Sequence, residues 1–391
     1  MAAHAVLNKE AAYGSISLSE KTPLTKWKAP WLWRRKFLCS LKRRIKNLER
    51  WLYMLKHVQI SFSEDWYNDR FGIDFSKDFW EDPIRRTDTY RELSYLLAKT
   101  FPDTELGSLD PQPNPIASDQ YGHRFVPALF GCNIVYVKNQ APSAESKRAD
   151  FDEMAALDIP DFSRNDVFRK ALDDAKRMKQ KYGFASGYIN TGSPLNAAIS
   201  IYGEDFIACC AMEPEIAQHV LMIMAKTFNR LMYEFSDVVA PPARIDRQSG
   251  GLGNCPAIMF SPKMYSQVIL PVDLWYRACF KDFSIHHCGV FDRYAELYTA
   301  LTPCSLDVGG GSDYRLLRRY FPDTACSYIV NPEHYEGKSQ AVIDELVRGI
   351  ITNGGPVDKI NLLRTYGVSR HATNDNIMDL YTSIQRQALD R

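Results

Sequence analysis

Two regimes of apolar spacing divide this chain. Phe37, Leu38, Leu41, Ile45, Leu48, Trp51, Leu52 and Leu55 recur every three or four residues, which predicts a helix with a single apolar stripe. From about Asp65 onward, short apolar runs bounded by turn residues alternate with helical patterns. Residues 184–189 read as a strand, followed by Asn190-Thr-Gly-Ser-Pro194 and by helices near 195–209 and 214–235, the second opened by Glu213-Pro214. Further strands are predicted at 243–246, 283–288, 304–308, 325–330 and 359–365. Helices are predicted between and after them, at 261–280, 291–301, 314–320, 340–352 and 374–387. Strands alternating with helices argue for a parallel sheet covered on both faces. So many units in tandem favour an α/β fold closed as a (β/α)8 TIM-type barrel. No G-x-G-x-x-G follows the early strands, which speaks against a dinucleotide site. The expected organisation is a basic helical N-terminal extension over 1–65 and a barrel over 66–391.

Charge sharpens the first regime. Between Lys26 and Lys56 eleven cations crowd together with only Glu49 opposing them. Such a helix can dock on an acidic protein, a membrane surface or, as a lesser alternative, nucleic acid, and can equally lay its stripe on the barrel or on a second subunit, making a homodimer; the two roles are not exclusive. Over the whole chain, 48 Lys+Arg face 47 Asp+Glu, so no global field attracts nucleic acid. With 391 residues, 45% of them hydrophobic, the chain can bury a large core. Nine cysteines, an odd number in no regular framework, suggest a reducing compartment. The opening residues lack a signal-peptide layout and no apolar run is long enough to cross a bilayer. A cytoplasmic location is expected.

In a barrel, chemistry gathers where strands hand over to helices. Those ends carry Asn190, Asp246 with the glycine-rich 250–255, His286-His-Cys-Gly289, Asp307 with Gly309-Gly-Gly-Ser312, Glu333 and Tyr366. His286-x-Cys288 is the most informative. Alternate strand residues share a face, so an imidazole and a thiol two positions apart can grip one ion. That soft donor pair suits zinc better than magnesium or calcium. Without an ion, the same pair would be a packed cysteine beside a hydrogen-bonded histidine. Gly309-Gly-Gly-Ser312 is either a phosphate cradle or a turn.

Several segments resemble, in order, the uroporphyrinogen decarboxylase superfamily, in particular its zinc-dependent, corrinoid (cobalamin)-linked methyltransferase branch. They are Gly192-Ser-Pro-Leu195, Tyr202-Gly-Glu-Asp-Phe206, Ser261-Pro-Lys-Met-Tyr265 with Leu270-Pro271, Ile285-His-His-Cys-Gly289, Leu306-Asp307, Phe321-Pro322 and Thr373-Asn-Asp-Asn376. The resemblance covers about 65–391. It implies a (β/α)8 barrel with its active site in the C-terminal mouth, Zn2+ on three protein ligands, and a corrinoid (methylcobalamin) brought by a partner protein. The substrate would be a small methyl donor or acceptor: a methyl ether, a methylamine, a thiol or a folate. The chain departs from the family twice. The early R-Q-A-G-R-Y element that holds tetrapyrrole carboxylates has no counterpart, and Tyr366 stands where a third zinc ligand, a cysteine, is usual.

Cys255 is the preferred replacement, because its glycine-rich segment follows the strand next to that of His286 and can fold over the mouth. Glu333, Asp307, Cys326 and Cys304 remain alternatives. Asp246 and Asp307 are the candidate catalytic carboxylates, Asp246 also serving to orient His286 or cap its loop. Asn190, Glu333 and Tyr366 are candidate substrate contacts. Two other function classes stay in view: a metal-free decarboxylase or lyase of the same superfamily, and a non-catalytic binding barrel recruited through its basic arm.

Overall fold

The computed structural model describes residues 58–187, 189–236, 249–355 and 360–389. The basic helix expected at 37–55, the strand expected at 243–246 and Asp246 lie outside them. Six strands make the main sheet: β1 (Val58–Phe62), β2 (Ser249–Gly253), β3 (Asp282–His287), β4 (Ser305–Val308), β5 (Ala325–Ile329) and β6 (Ile360–Val368). All pair in parallel, in the spatial order β1-β6-β5-β4-β3-β2. Chain order runs through the sheet without the reversal of a doubly wound fold, and the first strand returns beside the last.

This is a curled half-barrel. Between its free edges the described residues supply a single parallel bridge, Ile116 to Ser186, and a hydrogen bond from Gly253 N to Gly192 O. The strand expected at 184–189 is reduced to that bridge. A two-residue antiparallel pair, Ile134–Val135 with Ser143–Ala144, stands apart from the sheet.

Strand alternation sets the two faces. On β3, Phe283, Ile285 and His287 are buried, while Ser284 and His286 take the other face; on β4, Leu306 and Val308 are buried and Ser305 and Asp307 share the face of His286. The apolar face is covered by helices, including Gln340–Asn353 and Asn374–Leu389, which pack on each other. Each fully buried apolar side chain in that layer stabilises the fold by roughly 1.5–3 kcal/mol. The other face is left to polar chemistry.

β2 corrects an expectation, since the glycine-rich segment forms a strand rather than a loop. At Gly250 and Gly251 neighbours crowd it so closely that side chains are excluded. A Cβ on Gly250 would overlap the Phe280 ring, and one on Gly251 would lie 2.7 Å from Ser284 Oγ. Glycine serves here for close approach between strands.

The helices follow the patterning from 194 onward, with three interruptions, one of them at 291–301, where α-helical Ala295–Tyr298 is flanked by the 3-10 turns Asp292–Tyr294 and Thr299–Leu301. Gly203, at φ 57°, separates Pro194–Tyr202 from Glu204–Met212. The helix expected at 261–280 is Pro262–Met264, a π turn over Tyr265–Ile269, and Leu270–Arg277. Pro271, which has no N–H to donate, falls where the π turn gives way to α-helix. Among the described residues, no helix is long and apolar enough to cross a membrane.

Candidate metal centre

Register brings the site together. Gly253 lies opposite His286, and His286 opposite Asp307, so the C-terminal ends of β2, β3 and β4 stand level. Two residues past Gly253, Cys255 opens a 3-10 turn, Cys255–Met259. Cys288 follows β3 directly. Ligand atoms of Cys255, His286 and Cys288 all lie within 4.8 Å of one another, a spacing that one ion can span at Zn–S near 2.3 Å and Zn–N near 2.1 Å. Cys255 and His286 are half-buried and Cys288 is exposed. The group is therefore open on one side.

The arrangement suits a metal in finer detail as well. The Cys288 backbone N–H donates to Cys255 Sγ at 3.4 Å, which favours a thiolate there. His286 Nδ1 lies 2.5 Å from Asp307 Oδ2. With a carboxylate acceptor on Nδ1, the proton sits on that nitrogen and Nε2 is left as the free donor atom.

Protonation in the metal-free trio follows from these contacts. Cys288 is drawn down to about 5, first by the Cys255 thiol donating to it and then by His286. Cys255, which holds the proton between the two sulfurs, is pushed up. Burial alone would depress His286, but Asp307 and Cys288 outweigh it and raise the imidazole to about 9. His287 points into the opposite layer, with Nδ1 3.0 Å from Tyr298 OH, and burial takes it down to about 4.

Asp307 is a meeting point. Its Oδ2 accepts from Arg364 Nη1 and from Tyr366 OH, each at 3.1 Å, besides facing His286. Arg364 also donates to the Tyr366 oxygen. Burial, and next the Asp307 charge, push the Tyr366 hydroxyl up to about 12, which keeps it a proton donor at neutral pH. Tyr366 thus reaches Asp307, the partner of His286. Arg364 was not among the expected residues. Its alternation with Tyr366 on one strand was the available signal.

The other expected residues fall elsewhere. Asn190 Nδ2 contacts His123 Nδ1 at 2.7 Å, on the segments that follow the Ile116–Ser186 bridge. Glu333 accepts from Asn331 Nδ2 at 3.1 Å in the turn after β5. Neither belongs to the Cys255 group. Cys304 and Cys326 stand at the opposite, N-terminal ends of β4 and β5, beyond reach of a shared ion. Gly309-Gly-Gly-Ser312 closes on itself, with Ser312 Oγ donating to Gly309 O at 3.0 Å, so it behaves as a turn.

No protein-family model matches this chain, and no curated protein matches it. Among solved structures it is similar to a methyltransferase from Methanosarcina mazei. The TM-score is 0.57 at 11% identity, over 84% of this chain and 93% of that one. At that identity the likeness is one of fold. It spans nearly the full length of the other protein.

Proposed function

We propose that this protein is a zinc-dependent methyltransferase that moves a methyl group between a small substrate and a corrinoid carried by a partner protein. The convergence of Cys255, His286 and Cys288 at the level ends of β2 and β3 carries the reading. A fold like that of a methyltransferase supports it. Zinc bound there supplies Lewis acidity, which lowers the pKa of a coordinated thiol or stabilises a leaving oxygen or nitrogen.

The chain's own residues do the rest. Asp307 keeps the His286 proton on Nδ1, and Arg364 supplies the cation beside that carboxylate. Tyr366 OH and Arg364 form a polar wall next to the metal group, suited to orienting a small methyl donor or acceptor: a methyl ether, methylamine, thiol or folate. Asn190 and Glu333 are proposed substrate contacts farther round the mouth, and Asp246 is a proposed second catalytic carboxylate. In this reading the half-barrel closes as a (β/α)8 ring through the segments at 116 and 186. The partner docks over the open end, and the cations between Lys26 and Lys56 are proposed to take part in recognising it by charge. The eight described cysteines are unpaired, in keeping with a reducing compartment such as the cytoplasm.

The deciding experiment is metal analysis of purified protein together with methyl transfer from methylcobalamin to candidate thiols. The reading expects about one zinc per chain and an activity abolished by His286→Ala. Protein that carries no zinc and takes none up overturns it.

A further inference from the structure

Asn254 immediately precedes Cys255 and is fully buried. Its backbone N–H donates to the His286 carbonyl at 2.8 Å, which pins the turn bearing one sulfur to the strand that bears His286 and leads into Cys288. Its side-chain amide is gripped as well. Ser193 Oγ donates to Oδ1 at 3.3 Å, while Nδ2 donates to Tyr265 OH at 2.9 Å and to Asp273 Oδ2 at 3.2 Å. Tyr265 OH in turn donates to the same Asp273 oxygen. All the side chains in this knot are buried.

Asp273 is fully buried and makes no ion pair among the described residues; its second oxygen, Oδ1, has no partner. A buried carboxylate without a cation is costly, and packing alone would be met by an apolar residue. What it adds is one oxygen that accepts from two donors at once. The π turn explains how Tyr265 and Asp273 reach the same spot. Eight residues of regular α-helix would set them roughly 80° apart around the axis. The extra residue absorbed by the π turn brings them to within about 20°, on one stripe.

We infer that Asp273, acting through Asn254 together with Tyr265, is a positioning residue that holds Cys255 in place as the third metal ligand. The inference rests on the Cys255, His286 and Cys288 reading above. Burial pushes the Asp273 carboxyl up to about 7 against the pull of its Tyr265 and Asn254 donors, so an uncharged oxygen acceptor serves the same geometry.

The test is Co2+ titration of the full-length chain, read by affinity and by the sulfur-to-cobalt charge-transfer band, with thermal unfolding of each metal-free variant alongside. Asp273→Ala should weaken Co2+ binding about 10- to 100-fold and diminish the band towards that of Cys255→Ser. Asp273→Asn keeps an oxygen for both donors and should restore both readouts. Should Asp273→Ala not fold, Tyr265→Phe, which keeps the ring, should lower affinity about threefold or more. A folded Asp273→Ala or Tyr265→Phe with wild-type affinity and band overturns the inference. Failure of the metal-site reading looks different: wild type would show no thiolate band, or Cys255→Ser would leave it unchanged.

Discussion

Asp307 Oδ2 stands 2.5 Å from His286 Nδ1, across the β3–β4 ladder that places the two residues in register. The pairing fixes which imidazole nitrogen is free. Removing it with Asp307→Ala should weaken zinc binding about 10- to 100-fold. A competition titration against a chromophoric chelator measures this. Asp307→Asn, which still offers an oxygen to Nδ1, should lose less than the alanine variant.

The three donors should fail individually. Zinc content after dialysis should drop from about one equivalent to below about a tenth in His286→Ala and Cys288→Ala, because two remaining protein ligands leave the ion to water. Cys255→Ser should weaken the site in the same direction. Retention of a full equivalent by any of these variants would remove that residue from the ligand set.

Proton competition gives a sign to the pH dependence. In the metal-free protein His286 holds its proton up to about 9, whereas Cys288 has already lost its own near 5 and Cys255 is raised. An ion must therefore displace the protons of His286 and Cys255. Apparent affinity should climb about a hundredfold per pH unit from neutrality towards 9, two protons being displaced, and about tenfold per unit above it, where His286 ceases to compete and only the Cys255 proton remains. A profile flat between pH 6 and 9 (about three units) would contradict these protonation states.

β2 should be intolerant of side chains. Gly250→Ala sets a methyl group against the Phe280 ring, and overpacking of this kind costs about 1–3 kcal/mol. Urea unfolding should show the loss as a lower midpoint. Gly72→Ala, where nothing lies within 4 Å but φ is +68°, should lose stability through backbone strain alone, by about 1 kcal/mol.

Around β3 and β4 the architecture was legible because these strands alternate in the ordinary way, whereas β5 shows as an apolar run buried on both faces. Phe283, Ile285 and His287 bury one face while Ser284 and His286 take the other, and the two-residue spacing of His286 and Cys288 needed nothing more. β2 was hidden because strand patterning is read from side chains that pack. Ser-Gly-Gly-Leu-Gly has one such residue, Leu252, and its glycines answer to Phe280 and Ser284, which are distant in sequence. Val58–Phe62 alternates and joins the sheet as β1, inside the extension expected over 1–65, because the cationic run just before it masks the strand pattern. Cys255 could be reached from its place beside the His286 strand. The grouping of Asp307 with Arg364 and Tyr366 passes over β5, a tertiary fact that local pattern does not carry. Asn254 and Asp273 read as ordinary polar residues until their burial is seen.

Cys255 and Cys288 stand 33 positions apart and follow the ends of adjacent strands. An ion held between them is therefore a clasp on a long loop, and the chain freedom it removes belongs to the unfolded state. Part of the affinity of the site would then be spent as resistance to unfolding, proportional to the logarithm of free metal once the site is nearly full. Chelation should loosen the seam between β2 and β3 before the rest of the sheet, so the amides of Leu252 and Ile285 would exchange with solvent sooner than those of β5.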